Sequence, residues 1–327
     1  MRGELMKRLN WAILGPGTIA ADFAGALQDI HGSIYAVGSR TLEKAEQFAE
    51  KYNITKAYGS YEEMLHDDNI DVVYIATPHS NHYEYIMKCL ENNKHVFCEK
   101  AITVSSDQLL EAVSLAKEKQ LVLAEAMTIY HMPLYKELHK RIASGSIGKL
   151  KMVNVLFGSS KEDNPSNRFF NMELAGGALL DIGTYALSFA RSFLSSQPHE
   201  ILTTVNKYST GADEQSGIIL KNTEDEMAVI TLAMRARTQK LGIVAGDNGY
   251  IMVPDFPRAD KATIHYLDGT EEIVEAGESS KALHYEIEDM ERFVAEKEKE
   301  CTLPLTVDVM EIMTDVRNQW GIRYPFE

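Results

Sequence analysis

The chain has 327 residues, of which 45% are hydrophobic and 25% are charged, as in ordinary globular proteins. Because domains usually hold roughly 100–200 residues, this length predicts two of them. Acidic residues outnumber basic ones by 48 to 33, which gives a formal net charge of −15. That charge repels phosphate backbones and anionic lipid heads, so it argues against nucleic acid and membrane surfaces as partners.

The cysteines and the start of the chain indicate the compartment. Cys89, Cys98 and Cys301 fit neither a metal-binding spacing nor a disulfide framework, so we expect reduced thiols and assign no metal. The charged start is followed by only four apolar residues, Trp11–Leu14, which is too short for a signal-peptide core or a membrane span. These features predict a cytoplasmic protein.

The first third of the chain alternates short β-branched runs with amphipathic helical patterns. Apolar strands alternating with helices predict a parallel sheet covered on both faces, which is a doubly wound Rossmann domain over residues 1–126. The predicted strands are 9–14, 34–37, 72–75, 96–98 and 121–124, and the predicted helices are 19–27, 42–52, 83–92 and 108–119.

From residue 127 onwards, longer extended segments are separated by turn sequences at 246–249 and 268–269. This pattern predicts an α+β domain over residues 127–327, in which a large, mostly antiparallel sheet serves substrate binding and oligomerisation. The predicted strands are 151–156, 200–205, 218–220, 228–234 and 243–244, and the predicted helices are 134–144, 179–193, 285–297 and 307–319.

A glycine-rich turn follows the first strand directly and opens the first helix. It reads Gly15-Pro16-Gly17-Thr18-Ile19-Ala20, which is the context that a dinucleotide-binding fingerprint requires. Gly15 permits the tight turn, Gly17 lets the main chain approach a pyrophosphate, and the helix beginning at Thr18 and Ile19 directs its N–H groups at the phosphates. The alternative is a purely structural tight turn.

The end of the second strand indicates which dinucleotide binds. Sites that prefer NAD usually place a carboxylate there to bind the ribose 2′-hydroxyl. This chain instead has Ser39 and Arg40, and Arg40 can pair with a 2′-phosphate while Ser39 donates a further hydrogen bond. The sequence therefore favours NADP over NAD, with a solvated loop arginine as the alternative.

Three further motifs follow in order along the chain. They are Ala76-Thr77-Pro78-His79-Ser80-Asn81-His82, Glu99-Lys100, and a Gly-Gly-x-x-x-Asp-x-Gly segment that includes Asp181. With the glycine-rich turn, this order resembles the Gfo/Idh/MocA oxidoreductase family over nearly the whole chain. Tyr185, where many sugar and inositol dehydrogenases have histidine, resembles the branch containing dimeric dihydrodiol dehydrogenase, NADP-dependent xylose dehydrogenase and glucose–fructose oxidoreductase. The Glu-Ala-Met segment Glu125-Ala126-Met127 also resembles that branch.

The resemblance implies hydride chemistry in which Lys100 and Tyr185 meet near the nicotinamide and Tyr185 exchanges the proton of a substrate hydroxyl. An ordinary tyrosine titrates near 10, so a phenol working near pH 7 needs about 4 kcal/mol of phenolate stabilisation. One cation at about 4 Å contributes roughly that much at an effective dielectric near 20. Asp181 then orients a substrate hydroxyl or Lys100, unless it merely caps its helix.

The resemblance also implies contacts to the cofactor and the substrate. Arg168 reaches substrate or phosphate, or else is a surface arginine. Lys100 has a simpler alternative as a solvent-facing strand end, and Ala101 stands where the family usually has proline. His79 and His82 are ligands or bases, or else positioning groups. The implied cofactor contacts from these motifs are Thr77, Pro78, His79, Asn81, His82, Glu99 and Lys100.

Two functions follow from these features. The first is an NADP-dependent oxidoreductase acting on a secondary alcohol or hemiacetal carbon of a sugar, cyclic polyol or diol. The second is a non-catalytic dinucleotide-binding regulator of the same fold. A regulator has no need of Lys100, Asp181 and Tyr185 together, so their joint presence favours the enzyme. An open sheet face in the second domain would suit a homodimer or a larger homo-oligomer.

Overall fold

The computed structural model describes residues 8–298 and 301–327, so the charged start before Arg8 lies outside the described residues. The chain divides into two compact units. The first comprises the described residues up to Thr103 together with Asp107–Ala126 and Leu283–Leu303. The second comprises Val104–Ser106, Met127–Ala282 and Pro304–Glu327. No helix among the described residues is long and apolar enough to cross a membrane.

The first unit contains a six-stranded parallel sheet in the order β3-β2-β1-β4-β5-β6, which confirms the predicted Rossmann architecture. Its central strands are wholly buried, as expected of strands with helices on both faces. The strands are β1 Trp11–Leu14, β2 Ile34–Gly38, β3 Lys56–Tyr58, β4 Val72–Ile75, β5 His95–Glu99 and β6 Leu123–Ala126. The helices are α1 Thr18–Asp29, α2 Leu42–Tyr52, α3 Tyr61–Leu65, α4 His82–Glu91 and α5 Ser106–Glu118.

The second unit contains an eight-stranded sheet in the order β14-β13-β12-β11-β7-β10-β9-β8. Only the β7–β10 pair is parallel, which confirms the predicted mostly antiparallel sheet. The strands are β7 Leu150–Gly158, β8 Glu200–Lys207, β9 Asp213–Lys221, β10 Met227–Ala233, β11 Leu241–Gly246, β12 Gly249–Pro254, β13 Lys261–Tyr266 and β14 Glu271–Glu275. The helices are α6 Thr128–His131, α7 Pro133–Ala143, α8 Thr184–Phe193 and α10 Leu303–Trp320, whereas α9 Ala282–Glu296 belongs to the first unit except for its first residue.

Several elements differ from those predicted. Strand β3 and helix α3 were not predicted, because three and five residues are too few to show a period. Strands β12, β13 and β14 were also missed, and in β13 and β14 polar residues occupy most of the outward positions, although both predicted turns lie at the ends of these strands as expected. The predicted helix 179–193 begins with a π-helical turn, Leu179–Gly183, before α8.

Helix α9 joins the core of the first unit, although the division expected at residue 126 places it in the second domain. Its apolar face contributes Ile287, Met290 and Phe293 to a cluster that includes Trp11. The indole Nε1 of Trp11 donates to Glu291 on the same helix at 3.1 Å. The helix belongs to the first unit because its apolar face is buried in the core of that unit, and removing apolar surface from water is favourable.

The two faces of the large sheet differ in exposure. Along β7, Val153, Val155 and Phe157 are buried, and α8 packs on this strand. A Cβ built on Gly242 of β11 would lie 2.3 Å from the ring of Phe189, so α8 lies directly on the sheet there. The opposite face exposes large apolar side chains on five strands, namely Met152, Leu202, Ile219, Tyr250 and Ile273.

Candidate functional site

The glycine-rich turn lies where β1, β2 and β4 of the first unit end. Gly15 has φ +97°, and its N–H donates to the carbonyl of Gly38 at 3.1 Å. A Cβ on Gly15 would lie 3.2 Å from the carbonyl oxygen of Ala76 and from Cγ2 of Thr77. Both the dihedral angle and the close approach therefore require glycine at this position.

The start of α1 is open to a ligand. Gly17 precedes the helix and offers no side-chain cap, the first turn holds no acidic residue, and a Cβ on Gly17 would meet nothing within 4 Å. The first helical N–H groups, including those of Thr18 and Ile19, have no partner within the helix and favour an anion. The buried hydroxyl of Thr77 has no hydrogen-bond partner in the described part of the chain. These features fit a dinucleotide at the β1–β4 switch point of the sheet.

The end of β2 carries the residues expected to select NADP. Ser39 is buried, and its N–H donates to the carbonyl of Tyr58 at 3.0 Å, whereas Arg40 is exposed. Arg40 lies beside an aromatic pair, Tyr61 and Tyr85, whose ring centroids are 5.0 Å apart. Burial raises the pKa of both phenols, and the charge of Arg40 opposes that rise. An exposed guanidinium with no carboxylate beside it in this segment fits a 2′-phosphate.

The loop after β5 begins at Lys100, which is half-buried, and its main chain is bound by two histidines. The Lys100–Ala101 peptide bond is cis. His79 Nε2 lies 3.1 Å from the carbonyl oxygen of Lys100, and His82 Nδ1 lies 2.9 Å from that of Ala101. The N–H of Ile102 donates to the Glu125 carboxylate at 3.1 Å. Side chains from three elements therefore hold this loop, although it lacks the family's proline.

His82 also joins this loop to the one after β4. Its Nε2 lies 2.8 Å from the carbonyl oxygen of Thr77, so both ring nitrogens face carbonyl oxygens in a fully buried site. Burial lowers the pKa of His82, the two carbonyls oppose that shift, and the charge of Lys100 adds to it. Because a metal ligand must offer a free ring nitrogen, these contacts favour the positioning role over the ligand role.

The remaining residues of these motifs have distinct surroundings. Pro78 is exposed and precedes a 3₁₀ turn, His79–Asn81, in which the N–H of Asn81 donates to the Pro78 carbonyl at 2.9 Å. Glu99 accepts a short hydrogen bond from the hydroxyl of Tyr74, which is fully buried. A Glu99 oxygen is therefore bound within the core of the unit.

In the second unit, the structure brings Asp181 and Arg168 together. Asp181 lies in the π-helical turn, and its carboxylate is 3.6 Å from the guanidinium of Arg168, which is mostly exposed. Arg168 also lies over the ring of Phe169 at 4.2 Å. Tyr185 follows in the first turn of α8, half-buried, with the ring of Phe157 at 6.5 Å. The π-helical turn and the start of α8 thus carry a carboxylate paired with a guanidinium, followed by the phenol of Tyr185.

Sequence reasoning assigned no role to two buried carboxylates that bind main-chain N–H groups beside the site residues. Glu125 binds the loop after Lys100, and Asp213 accepts from the N–H of Leu179 at 2.6 Å. Glu125 stands in the Glu-Ala-Met segment, which gave a signal of family branch but not of this contact. Nothing in the sequence around Asp213 distinguishes it from a surface aspartate, since its burial depends on strands distant in sequence.

Comparison with known proteins identifies the family. Residues 9–127 match the Gfo/Idh/MocA oxidoreductase family with an NAD-binding Rossmann fold, and residues 135–252 match the Gfo/Idh/MocA C-terminal domain. Trans-1,2-dihydrobenzene-1,2-diol dehydrogenase of Xenopus laevis is 31% identical over 97% of this chain and 99% of its own. D-xylose 1-dehydrogenase (NADP(+)) of Hypocrea jecorina is 33% identical over 97% and 93%.

Solved structures share the fold over most of the chain. Levoglucosan dehydrogenase in complex with NADH superposes with a TM-score of 0.87 at 17% identity, covering 96% of this chain and 97% of that one. A 3-ketoreductase from Actinomadura kijaniata, in complex with NADP and TDP-benzene, gives a TM-score of 0.86 at 21% identity over 95% and 98%. The predicted family and branch are confirmed by the curated relatives, and this chain belongs to the Gfo/Idh/MocA family of NAD(P)-binding oxidoreductases.

Proposed function

We propose that this protein is an NADP-dependent oxidoreductase acting on CH–OH groups of a sugar, cyclic polyol or diol. The observation that carries the proposal is similarity over 97% of the chain to a diol dehydrogenase and a xylose dehydrogenase. Lys100, Asp181 and Tyr185 stand at the motif positions that such chemistry uses. When bound, the nicotinamide exchanges a hydride with a secondary alcohol or hemiacetal carbon.

The residues of this chain then have separate tasks. Gly15, Gly17 and the start of α1 bind the pyrophosphate through main-chain N–H groups. Tyr185 takes or returns the proton of the substrate hydroxyl at its phenolic oxygen, and the ammonium of Lys100 stabilises the phenolate. Asp181 accepts a hydrogen bond from a substrate hydroxyl, and Arg168, 3.6 Å away, orients that carboxylate or contacts the substrate.

The first experiment separates the enzyme from a regulator. NADPH and NADH binding is measured by fluorescence, and aldoses, inositols, vicinal diols and dicarbonyls are then screened for absorbance change at the nicotinamide band. Turnover of one class supports the proposal. Tight cofactor binding without turnover of any class would favour the non-catalytic regulator.

Replacing the proposed acid/base tests the role of Tyr185. We expect Tyr185→Phe to lower turnover by about 10²–10⁴-fold, the usual contribution of general acid–base catalysis, with NADPH affinity unchanged. Tyr266→Phe is the control, because the Tyr266 hydroxyl binds Glu272 at 2.8 Å on a strand outside the proposed site. Full activity of Tyr185→Phe would remove the proposed acid/base.

Arg40 tests the preference for NADP. A charge-assisted contact contributes about 1.5–3 kcal/mol, so Arg40→Ala should weaken NADPH binding by roughly 10–100-fold and leave NADH binding unchanged. Arg292→Ala, on α9 of the same unit, is the matched control, because Arg292 binds Asp289 and Glu298. Equal losses for both cofactors would contradict a 2′-phosphate contact.

The apolar face of the large sheet supports a homodimer. Leu202, Ile219 and Ile273 are among the exposed side chains of one face, and apolar side chains exposed across a sheet face suit a second copy of the chain. Light scattering that gives the mass of a single chain at micromolar concentration would contradict this part of the proposal. The cytoplasm is the expected location, because the reduced thiols predicted from the sequence suit it.

A further inference from the structure

A buried carboxylate binds the start of the helical segment that carries Asp181 and Tyr185. The N–H of Leu179 donates to Asp213 Oδ2 at 2.6 Å, and the N–H of Ala178 also binds this carboxylate. Asp213 is 1% exposed and opens strand β9. Its partners are main-chain groups two and three residues before Asp181, so the contact acts on the segment itself rather than on one side chain.

The glycine pair before this segment allows the close approach. Gly177 has φ +140°, and a Cβ built on it would lie 2.1 Å from Asp213 Oδ1. A Cβ on Gly176 would lie 2.9 Å from the carbonyl oxygen of Arg168. The main chain therefore passes between the Arg168 segment and the Asp213 carboxylate, with no room for a side chain on either side.

The turn held in this way is not a regular α-helix. From Leu179 to Gly183 it is π-helical, and the N–H of Thr184 donates to the carbonyl of Leu179. π-helical turns within helices are rare and occur frequently at functional sites. Because Leu179 contributes both the N–H bound by Asp213 and the carbonyl bound by Thr184, its orientation sets the geometry of the whole turn.

The groups that face Asp213 set its charge. Burial raises the pKa of its carboxyl to about 6, whereas the main-chain N–H groups and the charge of Arg317 favour the ionised form. Arg317 is also paired with Glu327, and it lies over the ring of Tyr324 at 4.9 Å. The Tyr324 hydroxyl donates to the carbonyl of Gly176 at 3.4 Å, so the end of the chain closes the same turn.

We propose that Asp213 is a positioning residue for the reaction: its carboxylate fixes the first turn of the segment from which Asp181 and Tyr185 project. The proposal rests on the function proposed above for Tyr185. Protonation of Asp213 or its replacement by an amide changes the acceptors offered to Ala178 and Leu179. The turn then loosens and the phenol leaves its working position.

The test compares Asp213→Asn with a matched variant, Glu226→Gln. Glu226 is also buried, and it accepts from the N–H of Ser195 at 2.8 Å, just beyond the other end of the same helix. We expect Asp213→Asn to lower kcat by about 10–100-fold, the usual cost of a small misplacement. NADPH affinity should stay unchanged. In the wild type an acid limb near pH 6 should appear in kcat and be absent from Asp213→Asn, whereas Glu226→Gln should keep that limb.

A second measurement needs no substrate. In protein labelled with fluorotyrosine, the ¹⁹F resonance of Tyr185 is assigned by its loss in Tyr185→Phe. Asp213→Asn should shift or split that resonance and leave the resonance of Tyr266 unchanged, while Glu226→Gln should move neither. An unmoved Tyr185 resonance, or equal changes in both variants, overturns the proposal. A shifted resonance in a protein that turns over no substrate supports the positioning contact and contradicts the proposed function alone.

Discussion

The loop that begins at Lys100 and the turn that precedes Tyr185 are both held by a buried titratable side chain bound to main-chain atoms. In the first unit, His82 faces two carbonyl oxygens, at 2.9 and 2.8 Å. In the second unit, Asp213 accepts from main-chain N–H groups at the start of a helical segment. The difference follows from the elements involved, because the end of a parallel strand offers carbonyl groups and a helix start offers N–H groups.

The two contacts use protons in opposite ways. Burial lowers the pKa of His82, so near neutral pH its ring has one N–H for two carbonyls. Burial raises the pKa of Asp213 to about 6, so near neutral pH most of its carboxylates are ionised and accept. Acid therefore supplies the donor that His82 lacks but removes the charge with which Asp213 binds. The loop after Lys100 and the turn before Tyr185 thus each depend on a buried titratable side chain, His82 or Asp213, whose burial disfavours its charged form.

Removing the histidine should have the largest effect on stability. His82→Ala removes the one ring N–H that the neutral imidazole can donate to these carbonyls, at about 1–3 kcal/mol, and it leaves a cavity in a fully buried site, so we expect the free energy of unfolding to fall by about 2–4 kcal/mol. NADPH affinity should fall as well, since both loops belong to the proposed cofactor site. His66→Ala is the control, because His66 is exposed. Equal denaturation midpoints for the two variants would show that His82 does not hold the loops.

The pH dependence of stability should separate Asp213 from a carboxylate of the first unit, Asp67. A shift from 3.8 to about 6 corresponds to about 3 kcal/mol at roughly 1.4 kcal/mol per unit. Because this pKa is raised, the contribution of Asp213 is present below pH 4 and is lost as the pH rises through 6. The free energy of unfolding of the wild type should therefore fall relative to that of Asp213→Asn as the pH rises from 4 to 7, whatever the substitution itself costs at pH 4.

Asp67 should show the opposite sign. Burial tends to raise its pKa, but hydrogen bonds from Lys56, Tyr58 and Asn69 outweigh that effect and hold it well below its ordinary value. Its contribution is present above pH 4 and is lost on acidification, so Asp67→Asn should be less stable than the wild type at pH 7. Urea denaturation from pH 2 to 7 measures both. Parallel stability curves for the two variants would show that these carboxylates do not differ in this way.

The smallest expected loss of stability comes from the glycine beside Asp213. Gly177→Ala adds a Cβ against the Asp213 carboxylate at positive φ, which we expect to cost about 1–3 kcal/mol and to lower turnover more than NADPH affinity. Gly211→Ala is the control, because Gly211 also has positive φ, at +97°, but its Cβ would meet nothing within 4 Å. If both variants lose the same stability and turnover, contact with Asp213 has no part in the effect.

Elements whose apolar residues follow a strand or helix period over several residues could be predicted from the sequence. The apolar run Trp11–Leu14 followed by the glycine-rich turn specified the first strand, the turn after it and α1. Helix α2, Leu42–Tyr52, was predicted to the residue. Elements shorter than two periods, such as β3 and α3, were missed because a few residues display no pattern. The π-helical turn was missed because its apolar residues also fit an α-helical spacing.

The sequence by itself determined the family, the two kinds of sheet and the order of the site motifs, because periodicity and turn residues are local properties of the chain. Only the tertiary structure decided that His82 contacts two loops, that Asp213 is buried against the turn before Tyr185, and that α9 joins the core of the first unit. Apart from His82 and Thr77, which are five positions apart, those contacts join residues distant in sequence, from 19 positions for His82 and Ala101 to 280 positions for Trp11 and Glu291. Their free energy depends on burial, which the packing of the whole unit creates and no local pattern records.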